Sequence, residues 1–410
     1  MTTLNISGIF LKSIGGECKV NILKNTTLTT LDISDNNLND KDIEAIAAAL
    51  KENTTLTTLR ILKSNLNDEN IKCIADALES KSTLTALDIS HNSYLGSKGI
   101  ECIANALKNN TTLTKLNISQ TCCYENKNKF AEHIASLLQS NATLTSLNIS
   151  ENGLEAKDAK IIAKALRNNT TLTKLDISKN NLQDDGAKHI ASIFLAKKVH
   201  EQSDTSSSSN PANKTLTKLN ISSNNYIANK GAKCLAKAIE RSESLVWLDI
   251  SDNIFEDESV NYIANALAKN TFLKTLKVVS TYMSFSNSKK ILDALIENGS
   301  LEELSLHYFG LQSQMAECIA DALKNNKSLK TLDILLPEDT SIEHRILLYK
   351  AIEKNTTLEK ILLRKGVDNY ILMSDIMPTK KETGCHTDNQ SSEFRRIEIY
   401  LQLGVFESRF

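Results

Sequence analysis

The sequence predicts an α/β solenoid, a horseshoe with parallel strands on its concave face and helices on its convex face, and three observations carry that reading. The pattern L-x-x-L-x-[ILV] starts at Leu28, Leu56, Leu84, Leu113, Leu144 and Leu172, then again at Leu216, Leu245, Leu273, Leu301, Leu329 and Leu358. Apart from one interval of 44 residues, the starts lie 28–31 residues apart, the mark of a stacked array of small units. Leu31 and Ile33 alternate with Thr30, Asp32 and Ser34, the period of a strand with one buried side. Ile43, Ile46, Ala47 and Leu50 then follow at i, i+3, i+4 and i+7, one buried helical stripe.

Each element of a repeat follows in order. In the strand, Leu31 and Ile33 point into the core, while Thr30, Asp32 and Ser34 point towards solvent. The turn after it is rich in Asn and Asp, and its key position holds Asn36, Asn92, Asn152, Asn180, Asn224 and Asn253. An Asn amide both donates to and accepts from backbone groups that a sharp turn leaves unpaired, so these six residues form a structural ladder. Other copies carry Ser64, Thr121, Thr281, Phe309, Pro337 and Gly366 there, so the ladder weakens towards the C-terminus. Asp40 is the expected cap of the helix that follows. No single repeat can bury its own apolar face, and helices are wider than the strand spacing of about 4.8 Å, so the stack curves with its strands inside.

Met1, Leu4 and Ile6 fit the strand template, which makes residues 1–376 an array opened by a degenerate repeat. The long interval carries KKVHEQSDTSSSSNPANK, Lys197 to Lys214, whose serine run and lack of periodicity predict a flexible insertion. Residues 377–410 read as a polar connection followed by a capping strand around Phe394, Ile397 and Ile399.

With 41% hydrophobic and 24% charged residues, the chain supplies a long aliphatic core and a polar exterior. A formal charge of −1 gives no basic field for nucleic acid or an anionic membrane, and there is no apolar run long enough to span a bilayer. Cys18, Cys73, Cys102, Cys234 and Cys318 recur at one helical position and read as small core residues rather than as a disulfide framework. Met1 to Ile22 lacks the pattern of a signal peptide, and reduced thiols fit a cytoplasmic protein.

The chain carries no P-loop, no G-x-S-x-G elbow, no H-E-x-x-H and no glycine-rich dinucleotide fingerprint. Cys385-His386 lacks the matched second pair of a zinc site. No enzyme activity, catalytic residue, metal, cofactor or small-molecule substrate is therefore expected. Stacking demands the inward residues and leaves the outward ones free, so departures there point to contacts. Lys115, Lys174, Lys218 and Trp247 share one outward column with Ser146, and Asp249, Lys277, His307 and Arg364 stand further along the strands. The first three with Trp247, Asp249, Lys277 and His307 are the candidate partner-binding residues, Trp247 being the natural anchor.

The wording L-T-x-L-D-I-S-x-N-x-L, the period of 28–29 residues and the I-A-x-A-L helix resemble the ribonuclease-inhibitor-like class of leucine-rich repeats over about 350 residues. The resemblance implies a horseshoe whose strand face and adjoining loops bind other proteins. Similar repeats occur in Ran GTPase-activating proteins and in the sensor ends of NOD-like receptors. The expected function is a non-catalytic interaction scaffold, monomeric, with a protein partner. The alternative is a Ran-type GTPase-activating protein, although the C-terminus lacks a strongly acidic tail and no activating residue aligns individually. Asn-, Lys- and Ile-rich wording fits an AT-rich genome and permits an effector translocated into a host cell.

Overall fold

The structure is a computed structural model and describes residues 2–8, 27–79, 82–122, 129–196, 212–280, 284–308, 314–336, 341–365 and 369–370. It divides into two compact units, Met1–Tyr226 and Ile227–Phe410, each an α/β solenoid with its strands in one layer and its helices in the other.

In the first unit the strands are β1 (Thr3–Asn5), β2 (Thr30–Asp32), β3 (Thr58–Arg60), β4 (Ala86–Asp88), β5 (Lys115–Asn117), β6 (Ser146–Asn148), β7 (Lys174–Asp176) and β8 (Lys218–Asn220). They pair in parallel and in chain order, and the register sets Leu31 beside Leu59, Leu59 beside Leu87 and Leu147 beside Leu175. Between them run α1 (Asp40–Glu52), α2 (Asp68–Glu79), α3 (Ser97–Leu107), α4 (Phe130–Ser140), α5 (Ala156–Asn168) and α6 (Gln183–Ala191). The central strand leucines and the stripe Ile43, Ile46, Ala47, Leu50 are buried together with their counterparts in later repeats. A fully buried Leu is worth about 1.5–3 kcal/mol, so the stacked aliphatic rows supply the main driving force.

The second unit holds β9 (Trp247–Asp249), β10 (Thr275–Ser280), β11 (Glu303–Tyr308), β12 (Thr331–Leu336) and β13 (Lys360–Lys365), again parallel. Its helices are α7 (Asn229–Arg241), α8 (Asp257–Lys269), α9 (Phe285–Glu297), α10 (Met315–Asn325) and α11 (Ile342–Lys354). A short antiparallel strand, β14 (Asn369–Tyr370), closes the edge of β13, an ending that the sequence pattern did not indicate. The cap expected at Phe394–Ile399, with all of 377–410, lies outside the described residues, as do Thr281, Phe309, Pro337 and Gly366 of the turn column. Of the serine-rich insertion, 197–211 also lie outside, but Asn213 belongs to the array: it is buried and donates to the Leu166 and Asn169 carbonyls at 2.6 and 3.0 Å.

The turn column works through buried amides. Asn180 accepts the Asn152 and Leu154 N–H groups of the preceding repeat at 2.9 and 3.0 Å. It donates to the Ile149, Ile177 and Ser178 carbonyls at 3.3, 2.9 and 3.0 Å. Asn92 does the same for Ser64, Leu66, Ile61, Ile89 and Ser90. The residue just before this position is left-handed wherever the short turn is kept: Asp35, Lys63, His91, Gln120, Glu151, Lys179, Ser223 and Asp252 have φ between 47° and 61°. None of them is glycine, so each accepts a cost of about 1–2 kcal/mol that the sequence does not advertise. Their N–H groups are spent on the next repeat, as in Asp35 to Leu62 and Lys179 to Ser222 at 2.8 and 2.9 Å.

Most entries to the turn use the D/N-x-S wording, although Arg60-Ile61-Leu62 keeps the turn without it. Asp176 Oδ1 accepts the Ser178 N–H and Oγ–H at 2.9 and 2.6 Å, and Asp32 and Asn220 bind Ser34 and Ser222 likewise. These residues therefore do not simply face water, as the alternation suggested: Ser34 and Ser90 are buried, and Asp176 is only 7% exposed. Where Ser gives way to Val279, His307, Leu335 and Arg364, the chain continues as a strand and the three-residue strands become six-residue ones.

A second amide ladder was hidden in the N-T-T-L wording. Asn110, Asn141 and Asn169 follow the ends of successive helices, and their Nδ2 atoms donate to Leu78, Leu107 and Leu138 of the helix before at 2.9, 2.7 and 2.8 Å. Their Oδ1 atoms hold the next strand's entry, as in Asn110 to Thr112 and Leu113 N–H at 3.0 and 2.8 Å. In the second unit Asn298 and Asn326 donate to Leu267 and Leu295 at 2.7 and 2.8 Å. Helix C-termini leave carbonyls without partners, and each repeat here supplies them to its predecessor. Threonines add a third row: Thr57, Thr85, Thr145 and Thr173 donate from Oγ1 to the carbonyls of Thr29, Thr57, Thr114 and Thr145 at the preceding strand's entry, at 3.0–3.1 Å.

Two local expectations change. The α1 cap is Asn39, whose Oδ1 accepts from Asp42 N–H at 3.1 Å while Asp42 returns the bond at 3.2 Å; Asp40 instead accepts from Asn70 of the next repeat at 2.8 Å. Cys73, Cys102, Cys234 and Cys318 are half-buried rather than core residues, and Cys18 lies outside the described residues. Burial still pushes the Cys73, Cys102 and Cys318 thiols above their ordinary range, so they stay protonated. Among the described residues, no helix is long and apolar enough to cross a membrane.

Asn180→Ala and Asn298→Ala should each lower stability by about 1–3 kcal/mol in urea unfolding, since each leaves several backbone groups unpaired; an unchanged midpoint would refute the ladder role. Gln120→Gly, which relieves a non-glycine residue held in the left-handed region, should raise stability by up to about 1 kcal/mol after the flexibility of glycine in the unfolded chain is set against it. Burial pushes the Asp176 carboxyl up, against hydrogen bonds from Ser178 and Asn220. The folded chain thus holds that proton more tightly than the unfolded chain, so stability falls as pH rises from about 3.9 through the raised folded value. Asp176→Asn should remove that part of the slope in urea titrations run upward from about pH 4, and identical slopes for both proteins would contradict it.

Candidate functional site

The outward positions of the strand layers are where the repeat wording relaxes. In the first unit the register sets Ala86, Lys115, Ser146, Lys174 and Lys218 side by side on β4 to β8. Lys115, Lys174 and Lys218 are exposed, and none forms an ion pair among the described residues. The parallel column holds Asp88, Asn117, Asn148, Asp176 and Asn220, and its carboxylates are engaged: Asp88 and Asp176 accept from Asn117 and Asn220 at 3.0 and 2.9 Å besides their serines. Burial together with the Lys218 and Lys115 charges pulls the Lys174 ammonium below its ordinary range.

In the second unit Trp247 is half-buried on β9, and the Lys277 ammonium of β10 sits 5.5 Å from the centre of its ring. That distance is within the range of a cation–π contact. Asp249 aligns with Lys277 in the register, but its Oδ1 accepts the Ser251 N–H at 2.9 Å and so belongs to the turn as well as to the face. His307 on β11 places Nε2 2.9 Å from Asp333 Oδ1 on β12. The structure thus groups Lys115, Lys174 and Lys218 on one unit, and Trp247, Asp249, Lys277 and His307 on the other.

Sequence reasoning missed Asp333 as the partner of His307 and a row of alternating charge beside the strand entries. Lys274 and Lys330 flank Glu302 at 3.1 and 2.7 Å, and the bond from Lys330, then that from Lys274, lowers the Glu302 carboxyl from its ordinary range. They line an open cleft of about 620 Å³ with Gly299, Ser300 and Lys327. The Ser300 hydroxyl is spent on the Asn270 and Leu273 carbonyls, so the cleft offers salt-linked polar groups rather than a nucleophile next to a base. Reading the column Lys274, Glu302, Lys330, Glu359 across repeats would have revealed it. Among the described residues no group of three or more His, Cys, Asp and Glu is placed to hold a metal ion.

A family model described as "Leucine Rich repeat" matches residues 24–47, 80–104, 140–163, 168–191 and 212–236. No curated protein matches the chain in sequence. Among solved structures, the leucine-rich repeat-containing protein LegL7 from Legionella pneumophila is similar at 16% identity, covering 90% of this chain and 93% of that one with a TM-score of 0.45. Leiomodin-1 Actin-Binding Site 2 is similar at 20% identity over 41% of this chain and 86% of that one, with a TM-score of 0.32. The five matched stretches coincide with copies of the strand, turn and helix seen here, and their period is consistent with the ribonuclease-inhibitor-like class. The chain is a leucine-rich-repeat protein.

Proposed function

We propose that this chain is a non-catalytic scaffold that binds a folded protein partner through its strand face and the adjoining loops. The observation that carries the reading is selective release from structural duty. On the strand layers most polar side chains are tied into repeat-to-repeat bonds, whereas Lys115, Lys174 and Lys218 are exposed and form no ion pair among the described residues. Trp247, with Lys277 against its ring, adds a large anchor of the kind that dominates interface energetics. Thiols held protonated by burial support a scaffold rather than a cysteine nucleophile, and free cysteines support a reducing, cytosolic setting.

The test is affinity capture from cytosolic lysate with the intact chain and two folded variants, one Lys174→Glu with Lys218→Glu, the other Trp247→Ala with Lys277→Ala. At least one variant should lose a specific partner by about tenfold or more, as expected for loss of interface anchors. Equal capture by all three proteins would overturn the strand-face reading. Acceleration of GTP hydrolysis by a captured GTPase would overturn the non-catalytic part.

A further inference from the structure

The lysine row of the first unit has an energetic feature that a merely solvated surface does not require. Lys174 and Lys218 are direct register partners on adjacent strands, and Lys115 lies one strand beyond Ser146. Like charges directly opposed on a sheet destabilise it. Several strand-side and helix cations elsewhere do find a carboxylate: Lys179 with Glu151 at 2.6 Å, Lys330 and Lys274 with Glu302, and Lys289 with Asp293 at 2.8 Å. On this face the nearby column is neutral Asn or carries carboxylates already bonded to serine and asparagine, and among the described residues no carboxylate pairs with the three ammonium groups. The burial and mutual repulsion that disfavour the Lys174 ammonium would both be offset by an arriving anion.

Resting on the scaffold reading above, we propose that the face of β5 to β8 recognises an acidic, extended peptide segment of the partner, laid across the strands so that its carboxylates meet Lys115, Lys174 and Lys218. Three strand spacings span about 14 Å, and an extended chain rises about 3.4 Å per residue, so a run of four or five residues rich in Asp and Glu covers the row. Such a segment gains charge complementarity, which sets partner choice and encounter rate more than raw affinity. The Ser146 hydroxyl, between Lys115 and Lys174, offers that segment a further polar contact.

The experiment uses the full chain and a fluorescein-labelled peptide of alternating Glu and Asp, beside the same peptide in Gln and Asn. Fluorescence anisotropy should show binding of the acidic peptide that weakens with added salt, and no binding of the neutral one. Lys174→Gln with Lys218→Gln should weaken it about tenfold, while Lys157→Gln, on α5 and paired with Glu155, should leave it unchanged. The thermal midpoint of the double variant should not fall, since a like-charge contact is removed. Equal affinity in the double variant, equal binding of the neutral peptide, or tighter binding of a single-stranded oligonucleotide through the same lysines would overturn the proposal. If partner capture is lost only in the Trp247→Ala, Lys277→Ala variant, the scaffold reading stands and the acidic-segment proposal fails.

Discussion

Everything in this fold depends on how a buried backbone polar group finds a partner when each repeat is too small to provide one. A repeat turns twice, once after its strand and once after its helix, and both turns would bury unpaired N–H and C=O groups at a cost of about 1–3 kcal/mol each. The chain answers with an asparagine at many of these corners. Asn180 serves the first kind of corner and Asn169 the second, and in each case the amide reaches across to the neighbouring copy. The aliphatic core drives stacking, but it is non-directional. The amides specify the spacing and the register, and through them which side chains stand in a row.

The strand face follows from that arrangement. Because Leu116, Leu147, Leu175 and Leu219 are locked in register, the residues before them are locked too, and Lys115, Lys174 and Lys218 cannot avoid one another by sliding. The same geometry brings Lys277 to the Trp247 ring and His307 to Asp333. In the second unit, loss of the D/N-x-S entry trades the tight turn for longer strands, so His307 lies on a strand where an earlier copy places a turn serine such as Ser251.

The repeat was legible because its period is written in leucine, the residue whose burial the stack needs most. Strand and helix rows could be placed from Leu31 and Ile43 alone. The turn amides were legible for the same reason, since a polar residue that recurs in an apolar frame calls for a buried partner. Other features were not. The left-handed residue before the ladder position is Asp, Lys, His, Gln, Glu or Ser, and without a glycine nothing marks it. The helix-end ladder looked like incidental N-T-T-L wording, because its bond runs to a leucine carbonyl 31 or more residues earlier, a separation that local reading does not test. Outward Asp and Ser seemed solvated, since alternation reports which side a residue occupies and not whether its neighbours cover it. The lysine row was visible as a column, but that the neighbouring carboxylates are already bonded to serine and asparagine follows from packing that the sequence does not spell out.

The direction of the helix-end ladder has a consequence for how the chain is made. Asn141 completes the helix that ends at Leu107, and Asn169 completes the one that ends at Ser140, never the reverse. Wherever this ladder is present, a nascent chain leaving the ribosome carries a helix end whose carbonyl waits on an asparagine still to be synthesised, so each such copy is completed by its successor.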